Sequence, residues 1–122
     1  MEHSFGKILR EKRRLAGLSR RRLAELAGLD FSYISKLENN RLAAPAAETV
    51  LKLAELLACS AEELLSAAGK LPGDVGQNLS SSVAAVQFAR EATALELTSD
   101  EWEKMRCALR DLRDEPPWRG KK

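Results

Sequence analysis

Three consecutive arginines, Arg20-Arg21-Arg22, stand directly behind Ser19, a residue type that caps helix starts. Cations in a first helical turn oppose the helix dipole, at a cost of about a few tenths of a kcal/mol each. A phosphate at that helix start would remove the penalty and engage the free backbone N–H groups. The run therefore points to an anion, with Arg20 and its neighbour Arg21 as the contacts. A plainer reading stands beside it: arginine is a good exposed helix former. Further on, Ser32, Ser35, Lys36 and Asn39 share one face at helical spacing, while Ile34 and Leu37 take the other. That polar face offers hydroxyl, ammonium and amide groups for hydrogen bonding. Nothing comparable points to catalysis. His3 is the only histidine, Cys59 and Cys107 match no metal spacing, and Ser80-Ser81-Ser82 has no evident base. The glycines fit no common phosphate loop. The chain is expected not to be an enzyme and to need no metal or other cofactor.

Charge follows the same division. The 122 residues carry 20 basic and 18 acidic side chains. Residues 1–42 have a net charge of +5, residues 43–80 of −3, and residues 81–122 of zero. The basic surplus lies where the arginines lie, which suits an anionic partner. Hydrophobic residues at 44% suffice for a packed core, and aromatic residues at only 5% with abundant Ala and Leu favour helices. No apolar run has the length of a membrane span, and the first residues have no signal-peptide pattern. A cytoplasmic location is expected, with both cysteines as reduced, small buried hydrophobes.

The elements that must position these groups are short helices. One runs from about Ser4 to Ala16, with Gly17 as its stop. A second starts at Ser19, turns Leu23, Leu26 and Ala27 inward and stops at Gly28. A third starts at Asp30 and closes at Asn39-Asn40. Two short helices joined by Ala27-Gly28-Leu29-Asp30 describe a helix-turn-helix. Pro45 precedes a fourth helix carrying Val50, Leu53, Ala54 and Leu57, and Ser60-Ala61-Glu62-Glu63 opens a fifth that stops at Gly69. Pro72, Gly73, Gly76, Asn78 and three serines make residues 70–82 a linker. A further helix over about Val83–Leu95 has Val86, Phe88 and Ala89 as packing residues. Thr98-Ser99-Asp100-Glu101 then opens the last helix, which Pro116-Pro117 ends. The domain reading is 1–69, a linker 70–82, a helical segment 83–115 and a flexible tail 116–122.

The run from Gly17 to Arg41 closely resembles the helix-turn-helix of the Xre/Cro family, the lambda-repressor-like DNA-binding domains. Gly17-Leu18-Ser19, Leu23-Ala24, Gly28 and Ile34-Ser35-Lys36-Leu37-Glu38 fall in register without a gap, and Glu48 to Ala54 looks like that family's fourth helix. The resemblance covers residues 4–69. It implies an all-α fold, a five-helix lambda-repressor-like domain followed by a C-terminal helical extension. Arg20 stands where the family usually has Gln, Asn40 where Gly is usual, and the loop before Pro45 is one residue longer than common.

The resemblance further implies that the third helix enters the major groove of double-stranded DNA. Ser32, Ser35 and Lys36 then meet base edges, with Lys36 able to donate to guanine. Phe31 packs on a thymine methyl or covers the core edge. Tyr33 bonds a phosphate or, the favoured alternative, is a partly buried ring. Asn39 and Arg41 grip the backbone. Arg13 and Glu38 occupy positions that are paired in related domains. Beyond the resemblance, Trp102, Met105, Leu109 and Leu112 form an apolar stripe too large to leave exposed. It is read as a homodimerisation segment in preference to intramolecular packing, since two-fold DNA readers must span two half-sites. The expected function is a sequence-specific, dimeric repressor on a two-fold operator. The alternative is an antitoxin whose C-terminal segment neutralises a toxin; a regulatory protein partner, toxin or protease, is compatible with both.

Overall fold

A computed structural model describes residues 4–112. Helix starts follow the capping side chains. Ser4 Oγ accepts from Lys7 N–H at the head of α1 (Phe5–Leu15), and Ser19 Oγ accepts from Arg22 N–H at the head of α2 (Arg20–Ala27). Asp30 occupies the same position before α3 (Phe31–Glu38), but its side chain makes no capping bond. Two more helices, α4 (Ala47–Leu57) and α5 (Ala61–Ala68), follow; Ser60 Oγ accepts from Glu63 N–H at the start of α5. The first turn of α4 has no side-chain cap, and Pro45 lies buried just ahead of it.

The chain divides into two compact units between Gln77 and Asn78. In the first, α1 packs on α3 and α5, α2 on α3 and α4, and α4 on α5. Leu9, Leu23, Ile34, Leu37, Val50, Leu53 and Leu64 are fully buried at the centre. Each helix supplies its residues from one face, as a 3.6-residue period requires. Leu26 departs from the expected inward set. The inward face of α2 is Leu23, Ala24 and Ala27, while Leu26 is 40% exposed and lines a groove with Leu15, Leu18 and Cys59.

Residues 70–82 also depart from the expected open linker, because they carry a helix, α6 (Gly73–Ser80). Pro72 starts it, its carbonyl accepting from Val75 and Gly76 N–H, and Asp74 suits the positive end of the dipole. These start signals outweigh two glycines. In the second unit, α7 (Val83–Leu95) begins at Ser82 and α8 (Ser99–Arg110) at a complete capping box between Thr98 and Glu101. Ala92 is the buried residue of α7; Val86 and Phe88, expected to pack, are 40% and 48% exposed. Among the described residues there are eight helices and no strand, and no helix is long and apolar enough to cross a membrane. The expected tail 116–122 and the Pro116-Pro117 stop lie outside the described residues.

One close approach fixes α1 on α3. A Cβ on Gly6 would lie 2.4 Å from Leu37 O and 2.7 Å from Glu38 O, so the backbone of α1 sits directly on the end of α3. Asn40, in the left-handed region at φ 59°, accepts from Gly6 N–H through Oδ1 and donates to Ser4 Oγ through Nδ2, both at 3.3 Å. Gly6→Ala is expected to cost roughly 1–3 kcal/mol, because the obstacle is backbone that cannot move aside. Gly76→Ala, with open space around it inside α6, should be neutral or slightly stabilising. Thermal melting followed by circular dichroism compares the two; equal melts would mean that the Gly6 contact relaxes without cost.

Candidate nucleic-acid interface

The helix-turn-helix is made by α2 and α3. Gly28 closes α2 at φ +71°, a conformation that needs no compensation only in glycine. Leu29 N–H then returns to Ala24 O at 2.9 Å, and the Leu29 side chain packs on the core. Ile34 and Leu37 anchor α3 from below. Ser32 and Lys36 are exposed on its outer side, and Ser35 and Tyr33 are half-buried, Tyr33 against the core. The helix ends where Arg41 N–H reaches back to Lys36 O at 2.8 Å across left-handed Asn40, which leaves Asn39 and Arg41 exposed at its exit.

Arg13 and Glu38 meet as a two-pronged pair. Arg13 Nε donates to Glu38 Oε2 at 2.6 Å and Nη2 to Oε1 at 3.1 Å, while Nη1 donates to Leu18 O at 2.8 Å. The pair is one part of a larger cluster. Arg20 Nε donates to Glu38 Oε1 at 3.1 Å. Arg10 Nε approaches the same oxygen at 3.5 Å, and its Nη2 donates to Glu38 O and Asn39 Oδ1. Three guanidiniums thus surround one carboxylate that is 2% exposed, and the cluster keeps a positive excess.

Two residues expected to meet DNA also have partners within the chain. Arg20, expected to contact a phosphate, has its Nε engaged on Glu38, because the first turn of α2 faces the end of α3. Asn39, expected to grip the DNA backbone, has its Oδ1 engaged by Arg10. Arg10 and Asn40 join the junction of α1 and α3 without belonging to the expected site set. The usable signal for Arg10 is its spacing of three from Arg13, which puts both on one face of α1. Of the remaining arginines, Arg22 pairs with Glu25 on the exposed surface, and the Arg21 guanidinium lies 4.7 Å from the Phe31 ring centroid. The thiols also differ from expectation: burial pushes the half-buried Cys59 thiol up, whereas Cys107 is exposed.

Burial alone would raise the Glu38 carboxyl, but the guanidiniums of Arg13 and then Arg20 outweigh it and hold the group below the usual carboxylate range. A carboxyl lowered in the folded state stabilises the fold above the unfolded value of about 4.3. That contribution is lost as the pH falls below it toward the folded value. Glu38→Gln is expected to cost about 3–5 kcal/mol near neutral pH, since it strands the buried Arg13 cation, and to flatten the acid side of the stability profile. Denaturant melts of both proteins across acid to neutral pH measure this. Parallel profiles would make the cluster incidental.

A family model described as helix-turn-helix matches residues 9–64. The HTH-type transcriptional regulator RghRB of Bacillus subtilis (strain 168) is 40% identical over 67 residues, which are 55% of this chain and 48% of that protein. The HTH-type transcriptional regulator PuuR of Escherichia coli (strain K12) is 44% identical over 61 residues, 50% of this chain and 32% of that protein. The chain thus spans about half, or less, of the length of these curated relatives. Among solved structures, that of SinR, a master regulator for biofilm formation, in complex with DNA superposes with a TM-score of 0.47 at 33% identity. It covers 50% of this chain and 97% of that one. A SinR–SinI complex gives 0.48 at 22% identity, over 87% of this chain and 94% of that one. Residues 9–64 thus match a helix-turn-helix family model, and this part of the chain is similar to the corresponding part of HTH-type transcriptional regulators.

Proposed function

We propose that this chain is a dimeric, sequence-specific DNA-binding repressor that reads a two-fold operator with α3. The observation that carries the reading is the division of α3 into two faces. Ile34, Leu37 and Glu38 are buried, while Ser32 and Lys36 are exposed on the opposite face. An α-helix fits the width of the major groove. Lys36 is the residue suited to a base edge, with Ser32 and Ser35 as less discriminating neighbours. Arg41, at the helix exit, and Arg21 are the candidates for phosphate contact, and Arg20 joins them through the nitrogens that Glu38 does not take. The net +5 of residues 1–42 favours the approach of DNA.

Lys36→Ala is expected to cost roughly 1–3 kcal/mol on the best site and much less on random DNA, with the preference relaxed at one base pair per half-site. Titrations on a selected site and on random duplex decide it; equal losses on both would make Lys36 a phosphate contact.

The dimer reading rests on the second unit. On and just after α8, Trp102, Met105, Leu109 and Leu112 are 45%, 37%, 59% and 73% exposed. A stripe of that size on a single chain supports a second apolar surface against it, and a second copy supplies both the stripe and the second reading head. Leu109→Glu in the full chain should give monomers by sedimentation, with weak half-site binding and an unchanged melt of the first unit. A Leu109→Glu protein that still sediments as a dimer would move the interface elsewhere.

A further inference from the structure

Arg21 and Phe31 meet across the turn that joins α2 to α3. The guanidinium carbon of Arg21 lies 4.7 Å from the Phe31 centroid, within the range of a cation–π contact. Phe31 is the first residue of α3 and remains 39% exposed, while Ile34 and Leu37 supply that helix's share of the core. A cation over a ring is held by the ring's negative face rather than by hydrogen bonds, so the contact restrains the group without using its donors. The contact therefore sets an apolar ring and a restrained fork of donors side by side at the start of the helix proposed to enter the groove. On DNA the matching pair of features is a thymine methyl, an apolar group on the major-groove edge of a base, and the phosphate of the flanking backbone.

We propose that Arg21 and Phe31 form one reading unit: Phe31 packs on a thymine methyl, and Arg21, restrained by the ring, grips the phosphate beside that base. The inference rests on the DNA-binding reading above. Phe31 is then a specificity-determining residue and Arg21 a positioning residue as well as a phosphate contact. If Phe31 only covers the edge of the core, its removal lowers stability and leaves base preference alone.

The probe is a duplex selected by the full chain from random-sequence DNA, prepared once with thymine and once with deoxyuracil at every thymine position. The two versions differ only in methyl groups. The wild-type chain should bind the deoxyuracil duplex about fourfold more weakly per half-site, the equivalent of about 0.8 kcal/mol for one buried carbon group. Replacing thymines one at a time should trace the loss to a single position in each half-site. Phe31→Ala should bind both versions equally. Arg21→Lys keeps the charge but not the planar guanidinium. It should shrink the thymine-to-deoxyuracil ratio toward one while leaving the salt dependence of affinity unchanged. Melting of each variant reports its folding, and the thymine replacement on the wild-type chain needs no variant. A wild-type chain that selects a sequence yet is indifferent to methyl removal overturns this inference alone. So does a selected site without thymine, or a methyl preference that survives in Phe31→Ala. A chain that selects no sequence at all overturns the DNA-binding reading with it.

Discussion

Glu38 is a carboxylate in the last turn of α3, almost wholly out of water, and its charge can stay there only because guanidiniums reach it from two other helices. Arg13 and Arg10 come from α1 and Arg20 from α2. The desolvation of a buried carboxylate costs several kcal/mol, so α1, α2 and α3 must keep their mutual positions or leave that cost unmet. Apolar burial on its own tolerates some sliding of helices, whereas a two-pronged Arg13–Glu38 geometry does not. The cluster therefore acts on orientation as much as on stability: it sets the angle at which α3 leaves the core.

The same end of α3 is locked a second way. Gly6 brings the backbone of α1 onto the carbonyls of Leu37 and Glu38, and Asn40 ties that junction to Ser4 and Gly6. Asn40 stands in a left-handed turn where glycine would be unstrained, but its side chain makes two bonds that glycine lacks. The positive start of α1 lies beside the carbonyl end of α3, a favourable meeting of helix dipoles. Both locks act on the C-terminal end of the helix. The N-terminal end, with Phe31 and Ser32, is exposed, so side chains there can differ without disturbing the core.

What the sequence discloses is the part of the fold governed by local rules. Ser4, Ser19, Ser60, Ser82 and Thr98 are caps because a short hydroxyl side chain at a helix start has an unsatisfied N–H within reach. Gly17, Gly28 and Gly69 stop helices because they take positive φ without strain. The outer face of α3 is legible for a related reason: when Ile34 and Leu37 face in, Ser32 and Lys36 must face out. Arg20 and Arg10 on Glu38, Arg21 on Phe31, and Gly6 against α3 are not legible in that way. Each depends on where one helix crosses another, and no local period encodes a crossing. The helix α6 was hidden for the opposite reason: its glycines and polar residues resemble a loop in composition, and its Pro72 and Asp74 start signals are short.

The cluster also bears on how charge is presented. Three guanidiniums against one carboxylate leave a positive excess, and Arg10 and Arg20 keep about a third of their side chains exposed. A buried pair of equal and opposite charge would have held the helices together and offered nothing to an anion. An unequal cluster does both, provided that the extra cations meet a counter-charge outside. On the DNA-binding reading proposed above, Arg20, set against the dipole of its own helix, has two partners, Glu38 within the chain and a phosphate outside it. On that proposed reading, the orientation of α3 and the affinity for the DNA backbone draw on the same carboxylate.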